Sequence, residues 1–248
     1  MKGVAVRRAM VLAAGRGERM RPLTDALPKV LVKVGGRTLL DHALDGLAAA
    51  GVELCVVNTH HLADLVAAHL AGRTAPRIVL SPEAELLDTG GGVNKALAHL
   101  GDEPFYTVNG DALWLDGPSP MLARLAGQWD PSRMDALLLL HPTVAAHGYE
   151  ASALGDYHLA PDGRARWRGP SGVAPFVFAG ITVCDRRLYE TAPGGAFSQL
   201  ALWHKAEERE RLYALRHDGE FFHVGTQAAL QDAEAYFTRG GGRRRTME

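Results

Sequence analysis

"GRGERMRPLTDALPK", Gly15 to Lys29, follows directly on the apolar run Ala9-Met10-Val11-Leu12-Ala13-Ala14. That run has the length and composition of a buried strand. A strand passing into a loop with two close glycines and then a helix leaves unpaired backbone N–H groups where an anion can sit. Arg16, Arg19, Arg21 and Lys29 add cationic side chains to the same stretch, so a phosphate compound is the expected ligand. Two phosphate loops fail on single positions. The dinucleotide fingerprint G-x-G-x-x-G needs a third glycine where Met20 stands. The Walker loop needs Gly-Lys-Ser/Thr where Arg19, Met20 and Arg21 stand.

Outward from this stretch, short apolar runs alternate with amphipathic segments, the pattern of βα units on a mostly parallel sheet. Strands are expected at Ala9–Ala14, Leu54–Asn58, Arg77–Leu80, Phe105–Val108, Ala136–Leu140 and Phe176–Val183. "TLLDHALDGLAAAG" carries Leu40, Ala43, Leu44 and Leu47 at helical spacing, with Thr38 as N-cap and Gly51 as stop. "LADLVAAHL", "GGVNKALAHL" and "PMLARLAGQW" read as further helices. "LYALRHDGEFFHV" reads as a hairpin turning at Asp218-Gly219, and a last helix spans Gln227 to Phe237. The fold class expected is α/β, a Rossmann-like, mixed but mostly parallel sheet flanked by helices, in a single domain over residues 1–238. The tail from 239 to 248, "RGGGRRRTME" with Arg239 as its first residue, is expected to be disordered.

Composition narrows the function. With 27 Lys+Arg against 28 Asp+Glu the 248-residue chain has a formal charge of -1, so a long nucleic acid is not the expected ligand. Cys55 and Cys184 each sit in an apolar run and read as buried free thiols of a reducing compartment. The N-terminus shows no signal-peptide pattern and no run approaches the length of a membrane span, which makes the cytoplasm the expected location and a membrane an unexpected partner.

"LAAGRGERMRPLTDALPK" as a whole resembles the signature of the sugar-nucleotide pyrophosphorylases, G-x-G-x-R-[ML]-x-P-L-T followed by P-K. The resemblance implies a nucleotide-diphospho-sugar transferase fold. It also implies roles for particular residues: Arg19 contacts the triphosphate, Lys29 the phosphates at the reaction centre, and Asp111, in "FYTVNGDAL", the catalytic metal, Mg²⁺ or else Mn²⁺. Ala13, Ala14, Gly15, Gly17 and Asn109 fall on the nucleotide side. The "LLDTGGG" run of residues 86–92, through Thr89 and Gly90, corresponds to the nucleobase pocket. Gly180 in "FVFAGITVCD" matches a glycine that admits the sugar ring, and Asp156 in Gly155-Asp156-Tyr157 is the nearest sugar-side carboxylate.

Two departures from the family pattern stand out. The Glu-Lys-Pro segment whose lysine holds the sugar phosphate is absent, leaving Arg166 or Arg168 as substitutes. The second metal aspartate is replaced by His223 in "FFHVGTQ", and imidazole suits Mn²⁺ better than Mg²⁺. Three readings of His223 stay open: direct metal ligand, holder of a metal-bound water or phosphate, or structural residue. His60-His61 lacks the spaced partners of a zinc site and reads as loop or rim.

The resemblance implies transfer of a nucleotidyl group from a nucleoside triphosphate to a sugar 1-phosphate, with release of pyrophosphate. The short chain, L-x-T-G-G-G and G-D-Y look most like the N-acetylmuramic acid 1-phosphate uridylyltransferases of cell-wall recycling, with a mannose 1-phosphate guanylyltransferase as rival. A catalytically silent nucleotide-sensing module is the alternative of another class.

Overall fold

The structure, a computed structural model, describes residues 4–149 and 154–239. Its strands are β1 Arg8–Leu12, β2 Lys33–Val34, β3 Arg37–Thr38, β4 Leu54–Thr59, β5 Arg77–Pro82, β6 Phe105–Asn109, β7 Ala112–Leu115, β8 Ala136–Pro142, β9 Tyr157–Leu159, β10 Ala165–Trp167, β11 Phe176–Cys184, β12 Leu212–Arg216 and β13 Glu220–His223. The α-helices are α1 Leu23–Ala26, α2 Leu39–Ala49, α3 Ala63–Leu70, α4 Asp88–Leu100, α5 Met121–Gln128, α6 Leu200–Glu208 and α7 Gln227–Thr238.

A central sheet runs β10-β9-β11-β6-β1-β4-β5, with β8 joined to β11 and β12 to β8. The four neighbouring strands β5, β4, β1 and β6 are entirely parallel. Ala9, Met10 and Val11 at its centre are fully buried, which is why β1 reads as an unbroken apolar run. β11 runs antiparallel to β6, β8 and β9, so the expected mixed sheet holds, with the antiparallel part confined to the C-terminal half. Side chains from α2, α3 and α5 fill one face of the sheet around Leu44, Val66 and Leu125, and those from α4 and α6 fill the other around Leu97 and Trp203. Thr38 caps α2 as expected, accepting from the Asp41 amide at 3.0 Å.

Two expectations need correcting. β1 stops at Leu12, so Ala13 and Ala14 belong to the glycine-bearing loop that follows it. The hairpin at Asp218-Gly219 does not form: β12 pairs in parallel with β8, whereas β13 pairs antiparallel with β7 in a separate two-stranded sheet. The turn residues are present, but Leu212, Tyr213 and Ala214 are buried against β8, and tertiary pairing overrides the local turn signal. Both cysteines are free and buried, as expected, and burial pushes the Cys55 thiol up to about 12, leaving it unreactive. The tail beyond Arg239 lies outside the described residues, among which no helix is long and apolar enough to cross a membrane.

The turn between β12 and β13 buries an imidazole pair. The His141 and His217 rings are 5.7 Å apart, and both side chains are almost fully buried. Burial holds both below the ordinary histidine value, against weaker support from backbone carbonyls and from Glu220, Asp218 and Asp116. Folded histidines of depressed pKa bind fewer protons than unfolded ones in the window between the folded values and about 6.5. Stability is therefore complete above that window and falls as the pH drops through it. A thermal melt should lose Tm below about pH 6.5, and His217→Gln should flatten that slope; an unchanged slope contradicts the assignment.

Candidate active site

The site lies over the carboxyl ends of β1, β4, β5 and β6, where parallel α/β sheets bind ligands. A cavity of about 530 Å³ opens there, walled by the loop from Ala13 to Arg19, by Lys29, and by Asn109, Gly110 and Asp111. Thr89, Asn58 and Glu83 also line it.

Local chemistry shapes the loop. Gly17 takes a left-handed conformation with φ of 66°, and a Cβ there would stand 2.9 Å from Thr24 Cγ2 and 3.1 Å from Lys29 Cβ. Only glycine meets both demands. The Thr24 hydroxyl, itself buried, donates to the Gly17 carbonyl at 2.9 Å, fixing the turn from below. The loop thereby brings Lys29 back under its own start, and Gly15 faces open space. Of the other arginines, Arg16 lines the cavity, while Arg21 is turned to Asp25 at 3.2 Å on the exposed side.

Lys29 and Asp111, 82 residues apart, meet with Nζ donating to Oδ2 at 2.6 Å. Burial by itself raises the Asp111 carboxyl, but Lys29, His223 and the hydrogen bond from Lys29 together hold it below the ordinary carboxylate range. A metal ligand or electrostatic anchor needs that ionised state. His223 reaches the same place through strand register, since β13 pairs His223 with Ala112, next to Asp111. The Val224 amide donates to the Asp111 carbonyl at 3.2 Å, and Thr226 caps α7, so the V-G-T frame is a structural tie between the two halves. Burial lowers the His223 imidazole; it lies within reach of the charges of Asp111, Lys29, Arg19 and Asp156. A Cβ on Gly225 would stand 2.5 Å from His223 Nε2 and 3.3 Å from Arg19 Nη2, which puts Arg19 at the same corner.

Other expected residues need qualification. Gly90 is not part of the cavity wall; a Cβ on it would meet the Phe197 ring at 2.3 Å. Its amide and that of Gly91 donate to the Phe197 carbonyl at 2.8 and 3.1 Å, so these glycines serve close packing of α4 on the loop before α6, and Thr89 is the lining residue. Gly180, with φ of 76°, falls within the stretch of β11 where its register with β8 shifts, close to Ala112 and Asn109. Asp156 is pinned by the Phe178 amide at 2.8 Å, and burial raises its carboxyl. Neither Gly180, Asp156 nor His223 borders the cavity itself; they sit beside it. Arg168 is spent on its own loop, donating to the carbonyls of Gly155 at 2.7 Å, Gly169 at 3.0 Å and Gly172 at 2.9 Å, and Arg166 faces Glu210 at 3.6 Å. Neither borders the cavity.

Sequence reasoning passed over Asn58 and Glu83, two buried polar residues on the cavity wall. Asn58 ends a strand in "VVNTHH" and Glu83 begins a proline-preceded turn, and a polar residue at the carboxyl end of a parallel strand was the available signal.

Fold and cavity together present a glycine-bearing, cationic cleft at the carboxyl ends of a parallel sheet. A model of the MobA-like NTP transferase domain matches residues 9–245, and the chain belongs to that family. Over 232 residues it is 44% identical to the N-acetylmuramate alpha-1-phosphate uridylyltransferase of Caulobacter vibrioides, covering 92% of this chain and 95% of that protein. Over 234 residues it is 35% identical to the enzyme of the same name from Neisseria meningitidis serogroup B, covering 92% and 97%. Among solved structures, UDP-glucose pyrophosphorylase complexed with UDP-glucose superposes with a TM-score of 0.80 at 15% identity, over 94% of this chain and 99% of that one. The fold expected from the sequence is the fold found.

Proposed function

We propose that the protein transfers the uridylyl group of UTP to N-acetylmuramic acid 1-phosphate, in recycling of cell-wall sugar. One observation carries the reading most: Arg19 and Lys29 of one loop stretch meet Asp111, 82 residues beyond Lys29, at one cavity built on a glycine-bearing loop. The whole-chain similarity to two uridylyltransferases supports the choice of base and sugar.

In the reaction an oxygen of the sugar 1-phosphate attacks the α-phosphorus of the triphosphate. A new P–O bond forms, the α–β P–O bond breaks, and its electron pair leaves with pyrophosphate. The nucleophile is already an anion, so no protein base is required. What remains for the chain is alignment and charge stabilisation. Backbone N–H groups of the Ala13–Gly17 loop approach the phosphates, Arg19 grips a terminal phosphate as a planar fork, and Lys29 places a point charge at the reaction centre.

A divalent cation, Mg²⁺ or Mn²⁺, fits the donor set. Asp111 is held ionised at the cavity wall, and among the described residues no cluster of three or more His, Cys, Asp or Glu side chains forms a protein cage. Mg²⁺ commonly takes one or two carboxylates together with substrate phosphates and water. Asp111 would hold it, with His223 beside, and the ion would neutralise phosphate charge.

The test is a grid of UTP, GTP, CTP, ATP and dTTP against the 1-phosphates of N-acetylmuramic acid, mannose, glucose and N-acetylglucosamine, read as pyrophosphate release and product mass. UDP-N-acetylmuramic acid is the expected product. GDP-mannose instead would keep the chemistry and overturn the substrate.

A further inference from the structure

A buried polar bar spans the floor of the cavity. The Ala13 amide donates to Asn58 Oδ1 at 2.7 Å, Asn58 Nδ2 donates to Glu83 Oε1 at 2.7 Å, and the Leu87 amide donates to Glu83 Oε2 at 3.0 Å. Asn58 is 3% and Glu83 5% exposed, so water does not stand in for a missing partner. A backbone donor sits at each end, and this fixes the polarity of everything between. The amide side chain must turn its oxygen to Ala13 and its nitrogen inward, and the next group must accept on both sides. Only a carboxylate does so, which explains why position 83 is Glu and not Gln.

The surroundings reinforce the bar. His60 Nδ1 faces the Glu83 carbonyl at 2.9 Å, His61 Nε2 faces the Thr24 carbonyl at 3.1 Å, and Thr24 in turn holds Gly17. The run Asn58-Thr59-His60-His61 therefore grips the phosphate loop at both its ends and the β5 wall opposite. Gly92 of α4 lies against the bar: a Cβ there would stand 2.9 Å from Glu83 Oε1 and 3.0 Å from Asn58 Nδ2. The third glycine of the run thus makes room for the bar.

We propose that Asn58 and Glu83 are positioning residues that preset the Ala13–Gly17 loop in its phosphate-binding form, by tying its first amide to the β4 and β5 ends through a chain of fixed hydrogen-bond polarity. This rests on the reading of the cavity as a nucleoside triphosphate site. A loop set before binding saves the ordering cost that a loose one meets on each encounter.

The polarity supplies its own test. Glu83→Gln leaves two N–H donors facing each other at one end. Asn58→Asp sets two buried carboxylates face to face, which must either repel or take up a shared proton, so this variant is read at alkaline pH, where the proton is lost. The double variant N58D/E83Q restores every donor-acceptor pair with the carboxylate moved by one position. UTP affinity measured by calorimetry should weaken about tenfold or more in each single variant and recover most of that loss in the double. Amide hydrogen exchange at Ala13, in the free protein, should quicken in the singles and slow again in the double. A merely structural contribution would lower Tm without this reciprocal recovery. Glu83→Gln binding UTP as tightly as the natural protein, or a double variant no better than the weaker single, overturns the proposal. If a single variant fails to fold, the double still decides, since it is expected to fold and bind. If the natural protein binds no UTP, the nucleotide reading fails instead, and Ala13 exchange alone judges the bar.

Discussion

Lys29→Met is expected to lower kcat by about 10²- to 10³-fold, the usual consequence of removing one preorganised charge from a developing transition state. The effect should fall mainly on kcat. The ammonium is a compact point charge, 2.6 Å from Asp111 in the free protein, and the proposed mechanism sets its work at the reacting phosphorus. UTP would still be gripped by Arg19 and the loop amides, so KM for UTP should rise only modestly. Lys29→Arg should recover little, because the planar guanidinium does not occupy the space of a compact ammonium that donates to Asp111 at 2.6 Å. Steady-state kinetics with UTP and N-acetylmuramic acid 1-phosphate check both. A change confined to KM would move Lys29 from the reaction centre to ground-state binding.

Asp111→Asn is expected to cost about 10³-fold or more in kcat/KM and to abolish the response to added Mg²⁺. The substitution keeps the volume and leaves an oxygen for Lys29, so Tm should change little. UTP binding without divalent ion should hold or improve, since a negative charge is removed from a site that takes a polyanion. Titrating Mg²⁺ against rate and against UTP affinity separates the two effects. Retained Mg²⁺ activation would take Asp111 out of the metal site.

The glycine-bearing loop and the placement of its cationic residues at the cavity were legible because local chain geometry makes them. A strand, two glycines and a helix within a few residues place Arg19 and Lys29 whatever the rest of the chain does, and Asp111 follows from the end of a second buried strand. The parallel half of the sheet was equally legible, since its strands are buried on both faces and read as apolar runs. Long-range pairing was not. Nothing in "LYALRHDGEFFHV" tells that β12 leaves for β8 and β13 for β7. His223 beside Asp111 is a product of that same register, so its place in the site rested on family resemblance alone. The glycines at 90 and 91 misled for a related reason: their neighbour, the loop carrying Phe197, is more than a hundred residues away. Asn58 and Glu83 were missed because the partner that gives them meaning is a backbone amide, which has no letter in the sequence.

Exchange of labelled pyrophosphate reads reversible nucleotidyl transfer at this cavity without any coupled step. The natural protein, given UDP-N-acetylmuramic acid, Mg²⁺ and labelled pyrophosphate, should release labelled UTP, and the Asp111→Asn variant should not. Tight, specific binding of UTP with no label exchanged under Mg²⁺ or Mn²⁺ would contradict the account and make the protein a nucleotide sensor.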